Sequence, residues 1–216
     1  MTNATQDCGL YAVVEAGEGA AERLAAALAA GDVRVVLVAP APGVQALEAR
    51  SARPLVDMAQ RANAAALIAG DWTLARTLRA DGVHLAPSPD LAASYGQARQ
   101  ALGTGGIVGI DAGISRHDAM SLAEAGADYV AFAAPARVKE REKARARRDE
   151  LVTWWAEIFE VPCVAFDVED ADEANRLCEA GADFLAVTLA VSQPPARARE
   201  LIAAVASALR VTQGAG

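Results

Sequence analysis

Four aspartates in this 216-residue sequence follow short β-like runs: Asp71 after Ala66–Ile68, Asp90 after Val83–Leu85, Asp111 directly after Ile107–Ile110, and Asp167 after Cys163–Phe166. Carboxylates gathered at strand ends can hold a divalent cation or exchange protons with a substrate. His84, between Val83 and Leu85, and Thr188, at the end of Phe184–Val187, share that setting. Plainer uses compete. Asp71 precedes Trp72–Arg79 and Asp90 precedes Leu91–Leu102, where helix N-caps belong. Asp111 is harder to explain as a cap, because Ser115 with Asp118 three residues on already offers a capping-box-like start. For His84 the ordinary fate is a packed, hydrogen-bonded core histidine, and His117 reads as a surface residue.

A second chemical feature is cationic. Seven of the 20 Lys and Arg residues fall in Arg137–Arg148, while the whole chain carries a net charge of −8. That balance excludes a general polyanion surface, and no aromatic residue interleaves with the block, so nucleic acid is not expected as a partner. The block reads either as a solvated helix or as a cationic lid, with Arg137 and Lys139 at its leading edge.

The elements that must position these groups alternate in type. Candidate strands are Leu10–Val14, Val33–Val38, Ala66–Ile68, Val83–Leu85, Ile107–Ile110, Tyr129–Phe132, Cys163–Phe166 and Phe184–Val187. Between them lie stretches of helical periodicity such as Ala20–Ala29, Leu74–Arg79, Ala119–Ala125 and Ala174–Ala180. An internal echo fixes the repeat: Ala-Glu-Ala-Gly-Ala-Asp-Tyr-Val-Ala at 123–131 returns as Cys-Glu-Ala-Gly-Ala-Asp-Phe-Leu-Ala at 178–186, with a looser copy at 78–86. Its aspartates, Asp81, Asp128 and Asp183, are 47 and 55 residues apart. Two βα units per interval, about 24 to 28 residues each, let eight units fill the chain as one (β/α)8 barrel domain over residues 1–216. An open doubly wound sheet would need a glycine-rich phosphate loop after the first strand, and Glu15–Gly19 places acids there instead. Gly126 and Gly181 are expected to end helices, which makes the echoed aspartates structural.

Three strings carry a resemblance to a known family. Ala80-Asp81-Gly82-Val83-His84-Leu85, Gly126-Ala127-Asp128-Tyr129-Val130-Ala131-Phe132 and Gly181-Ala182-Asp183-Phe184-Leu185-Ala186-Val187 resemble strands four, six and eight of thiamine phosphate synthases, within a superfamily that also holds an aminothiazole tautomerase. The resemblance implies a magnesium-dependent transferase of thiamine biosynthesis. Such an enzyme couples a hydroxymethylpyrimidine diphosphate to a thiazole phosphate. By position, Asp71 and Asp90 would then be metal ligands, Arg137, Lys139 and Thr188 would bind a small phosphorylated metabolite, and Asp111, Asp167 and His84 would line the reacting centre. Several strand ends differ from the family. Strand two ends Val38-Ala39-Pro40 where the family has Q-x-R-x-K, and Asp167-Val168 stands where it has a Gly-Gly phosphate turn. Three readings follow: the family's coupling reaction, a non-catalytic or regulatory metabolite-binding barrel, or a barrel enzyme with a less anionic substrate.

Composition narrows the setting. Cys8, Cys163 and Cys178 show no metal-ligand spacing, which fits small core residues in a reducing, cytoplasmic compartment. Met1–Asp7 does not read as a signal peptide, and no apolar run is long enough for a bilayer. Of the adjacent Trp154 and Trp155, one should pack inward and the other could mark a homodimer contact.

Overall fold

A computed structural model describes residues 8–134 and 139–214. Strands and helices alternate: β1 (Gly9–Ala16), α1 (Ala20–Leu28), β2 (Val33–Pro40), α2 (Ala49–Arg61), β3 (Ala65–Ala69), α3 (Trp72–Leu78), β4 (Gly82–Leu85), α4 (Leu91–Leu102), β5 (Ile107–Asp111), α5 (Arg116–Glu124), β6 (Tyr129–Phe132), α6 (Arg141–Ile158), β7 (Cys163–Ala165), α7 (Ala171–Glu179), β8 (Phe184–Leu189) and α8 (Pro195–Gly214). The strands are all parallel and β1 pairs with both β2 and β8, which closes the sheet into a (β/α)8 barrel.

Two apolar layers follow from the period of two along each strand. Outward residues such as Val36, Ile68, Val83 and Val130 pack under the helices. Inward residues fill the lumen: Tyr11 and Val13 from β1, Leu37 from β2, Leu67 from β3, Tyr129 and Ala131 from β6, Val164 from β7, Phe166 just after it, and Ala186 from β8. On β5 the inward position Gly109 is bare for a reason. A Cβ built there would stand 1.9 Å from the Tyr129 ring, so the phenol takes the space a side chain would use.

The echoed aspartates sit at the foot of the barrel and each pins a neighbouring strand. Asp81, Asp128 and Asp183 accept backbone N–H bonds from Ala66, Val108 and Cys163, each at 2.7 Å. Charge-assisted bonds of this kind hold β4, β6 and β8 in register against β3, β5 and β7. Ahead of two of them, Gly126 and Gly181 both turn the chain at φ 96°. In the third copy Arg79 takes the equivalent place at φ 56°, a left-handed backbone that costs an L side chain roughly 1–2 kcal/mol.

On α6, Trp155 is buried, with its Nε1 donating to the Val161 carbonyl at 2.7 Å. Trp154 is half-buried, and the Arg116 guanidinium lies 4.5 Å above its ring. Among the described residues no helix is long and apolar enough to cross a membrane.

Arg79→Gly should stabilise the protein. Relief of the left-handed cost outweighs glycine's extra unfolded-state entropy, for a net gain of up to about 1 kcal/mol. Urea midpoints check it, and an unchanged or lower midpoint would mean that Arg79 is not held in that conformation.

Candidate active site at the barrel mouth

Side chains at the C-terminal ends of the strands inherit the inward or outward sense of the residues below them. Asp111 stands two and four places above the inward Gly109 and Ile107, so it points into the mouth, and it is buried. Its Oδ1 accepts the Gly113 N–H at 2.7 Å. Burial pushes its pKa up to about 6 against that hydrogen bond, and the Asp167 charge raises it further. Thr188 is inward on β8, beside Val13 of β1. Ala39 and Ala69 end β2 and β3 on the inward side, so those two strands give the mouth methyl groups and no donors.

Asp167 follows β7 with φ 61°, a left-handed turn built without glycine. Short polar residues tolerate that region better than most. The surroundings impose it. Buried Arg148 reaches in from α6 and donates to the Phe166 carbonyl at 2.9 Å and, more loosely, to the Asp167 carbonyl at 3.5 Å. Its other terminal nitrogen bonds Glu173 at 2.7 Å and Asp149 at 2.8 Å. Glu173 in turn accepts the Glu169 N–H at 2.8 Å while Asp170 accepts the Glu173 N–H at 2.8 Å, a reciprocal capping box at the start of α7. The Asp167 carboxyl is raised by burial and pulled back by Arg148, by the Ala134 N–H and by Arg141. The mouth therefore holds two carboxyls, Asp111 and Asp167, and the charge of Asp167 bears on Asp111.

Below them lies a buried polar chain. The Nδ1 of His84 and the Tyr129 hydroxyl are 2.9 Å apart, and the Tyr129 and Tyr11 hydroxyls are 3.0 Å apart. The imidazole stacks on Phe166 at 4.9 Å between ring centres, which links it to the turn carrying Asp167. Burial pulls the His84 pKa down to about 4, so the ring is neutral near pH 7.

The remaining candidates are more peripheral. Asp71 caps α3 by accepting the Leu74 N–H at 2.8 Å, and its side chain is exposed. Asp90, also exposed, precedes α4 without a cap bond. Lys139 is exposed just before α6, and Arg137 lies outside the described residues. Among the described residues, no three His, Cys, Asp or Glu side chains gather as a metal cage. His117 is exposed. From Arg141 onward the basic block is helical: Arg141 and Arg145 pair with Glu169, and Arg148 is buried on Glu173.

Two groups at the mouth escape sequence reasoning. Glu15, ending β1, accepts the Val191 N–H at 2.8 Å. Buried Arg23 donates to the carbonyls of Glu18 at 2.9 Å and Glu15 at 3.0 Å, and reaches that of Val191 at 3.5 Å. Together they tie the β1–α1 loop to the β8–α8 loop. A groove of about 840 Å³, lined by Gln60, Arg76, Asp81 and Ile107, opens at the strand starts, the face on which barrels keep stability rather than chemistry.

Comparison with known proteins agrees with this architecture. Residues 10–191 match the family described as thiamine monophosphate synthase. The chain belongs to that family. A thiamine-phosphate synthase of Rhodospirillum centenum is 37% identical over 96% of this chain and 99% of its own length. One from Erythrobacter litoralis is 42% identical over 66% of this chain and 67% of its own. The solved structure of a thiamine phosphate pyrophosphorylase from Pyrococcus furiosus superposes with a TM-score of 0.74 over 97% of this chain and 99% of that one, at 19% identity, a likeness of fold.

Two predictions follow from the site's ionisable groups. His84 is depressed when folded, so its contribution to stability is full above about pH 6.5 and is lost as pH falls toward 4. Asp111 is raised, so its contribution is full below about pH 4 and is lost as pH rises through 6. The two oppose each other between pH 4 and 6. Asp111→Asn leaves His84 unopposed, so its urea midpoint should drop more than wild type's between pH 7 and 4.5; parallel drops would refute the assignment. Arg148→Met leaves buried Glu173 only the longer 3.5 Å contact to Arg145 and should cost about 3 kcal/mol, with much of the loss recovered in Arg148→Met/Glu173→Leu.

Proposed function

We propose that the protein is a thiamine-phosphate synthase acting in the cytoplasm: it joins a hydroxymethylpyrimidine diphosphate to a thiazole phosphate and releases pyrophosphate. The observation that carries the reading is the full-length relationship to a thiamine-phosphate synthase, 37% identical over 99% of that protein, which extends through every strand end at the mouth.

The chemistry asks for charge complementarity at a carbon that becomes cationic. As the carbon–oxygen bond to the diphosphate breaks, the electron pair leaves with pyrophosphate and the pyrimidine methylene gains positive charge. The thiazole nitrogen then donates its lone pair and closes the new carbon–nitrogen bond. Asp111 and Asp167 face this mouth from a buried setting, where a fixed carboxylate interacts strongly with developing positive charge. Near pH 7 Asp111, with a pKa of about 6, is mostly ionised. Neutral His84 and the tyrosines beneath it form the floor and offer hydrogen bonds without adding charge.

Magnesium fits as an ion that arrives with the diphosphate rather than one caged by protein, since it keeps waters and commonly takes only one or two carboxylates. Asp90, which makes no cap bond, and the second oxygen of Asp71 are the groups that would hold it. When bound, it would neutralise charge on the leaving pyrophosphate.

One observation favours a second reading. Buried Arg148 is already committed to Glu173, buried Arg23 to backbone carbonyls, and the last inward residues of β2 and β3 are alanines, which suits a barrel binding a less anionic metabolite with or without turnover.

Incubating the protein with both substrates and magnesium should give thiamine phosphate and pyrophosphate. Asp111→Asn should then lower kcat about a hundredfold with little change in KM, because the lost interaction belongs to the transition state. No product and no thermal shift with either substrate would end the first reading and leave the second.

A further inference from the structure

Arginines 141, 145 and 148 are four and three residues apart, so they share one face of α6, and that face looks across at the β7–α7 loop. Their acidic partners grade from fixed to displaceable. Arg148 and Glu173 are 0% and 2% exposed at their side chains and form part of the interior. Arg141, two helical turns nearer the start of α6, and its partner Glu169 are 30% and 46% exposed. Glu169 is cradled between two guanidiniums, its Oε1 taken by Arg141 and its Oε2 by Arg145. Forked donors closing on two oxygens of one anion are also how arginines hold a phosphate. Their capacity is not used up: the buried Nε of Arg141 makes no hydrogen bond among the described residues, and that of Arg145 makes only a 3.5 Å ion-pair contact with Glu173.

This cradle lies within electrostatic reach of the mouth. The Arg141 charge stabilises the Asp167 carboxylate and the Glu169 charge opposes it, so both sit close to the turn that ends strand seven. Resting on the synthase reading above, we propose that Arg141 and Arg145 form a phosphate-gripping subsite which Glu169 occupies in the free protein and yields to the phosphorylated substrate. A half-exposed ion pair contributes little net stability, so an incoming group of higher charge can displace it at small cost. The buried Arg148–Glu173 pair holds the helix and loop in place while the exchange occurs.

Titration calorimetry with inorganic pyrophosphate tests the exchange on the full chain. Glu169→Gln removes the competing carboxylate charge and should bind pyrophosphate at least tenfold more tightly than wild type. Adding Arg141→Met should abolish the gain, and Arg141→Lys, which keeps the charge but not the fork, should recover only part of it. Equal affinity in wild type and Glu169→Gln, or a gain that survives Arg141→Met, would overturn the subsite. The two ideas separate cleanly: tighter pyrophosphate binding by Glu169→Gln supports the subsite even if the wild type makes no thiamine phosphate. Turnover by a wild type whose Glu169→Gln form binds no tighter removes the subsite alone. Inorganic phosphate in a parallel titration assigns the subsite to phosphate groups in general if it shows the same gain, and to the diphosphate if it does not.

Discussion

A single buried guanidinium holds together the part of the barrel that differs most from a plain scaffold. Arg148 has no exposed side-chain surface, yet it carries a full charge. Isolated burial of such a charge would be prohibitive, so it must be surrounded by acceptors. The carbonyl of Phe166 and the carboxylates of Glu173 and Asp149 supply them. Each acceptor belongs to something the mouth needs. Phe166 stacks on His84, the next residue is Asp167, and Glu173 closes the capping box that starts α7. Removing the guanidinium would therefore loosen the turn that carries Asp167, the start of α7 and the packing on His84 at once.

The same arrangement explains how Asp167 can replace a glycine. A phosphate turn uses glycine so that bare amides can approach the ligand. Here the left-handed backbone persists at φ 61° with a carboxylate attached. Its conformational cost is met by the Arg148 contacts and by the Ala134 N–H bond to its carboxyl. A left-handed turn that glycine would adopt freely here presents a carboxylate.

Much of the fold was legible because its signals are local. All eight strand cores lie where β-branched runs predict them, and Tyr129–Phe132 has the bounds read from sequence. The echoed aspartates are structural, each accepting a backbone N–H of the preceding strand, and the glycine turns before Asp128 and Asp183 mark them in the sequence. The site was legible in part for the same reason. Asp71 and Ser115 cap helices as their spacing suggested. What could not be read were pairings across long separations. Nothing near residue 148 announces Glu173, and nothing near residue 23 announces the Val191 carbonyl. The basic block shows this most clearly. By composition it is a choice between lid and solvated helix, yet its arginines are spaced to meet acids of a loop about 25 residues away.

A mouth lined by carboxylates is a poor place for phosphate and a good place for a cation, and the coupling reaction needs both within a few ångströms. Separation of the two charges resolves the conflict. Asp111 and Asp167 stand at the strand ends, where the reacting carbon would sit, while the guanidiniums of Arg141 and Arg145 stand outside them on α6. A diphosphate lying across that boundary would have its leaving end drawn outward and its carbon end held against negative charge. The field along the breaking bond would then favour heterolysis before any metal is counted. On the synthase reading, a carboxylate at this turn would weaken the grip on a resting anion and strengthen the stabilisation of a cation formed when that anion departs.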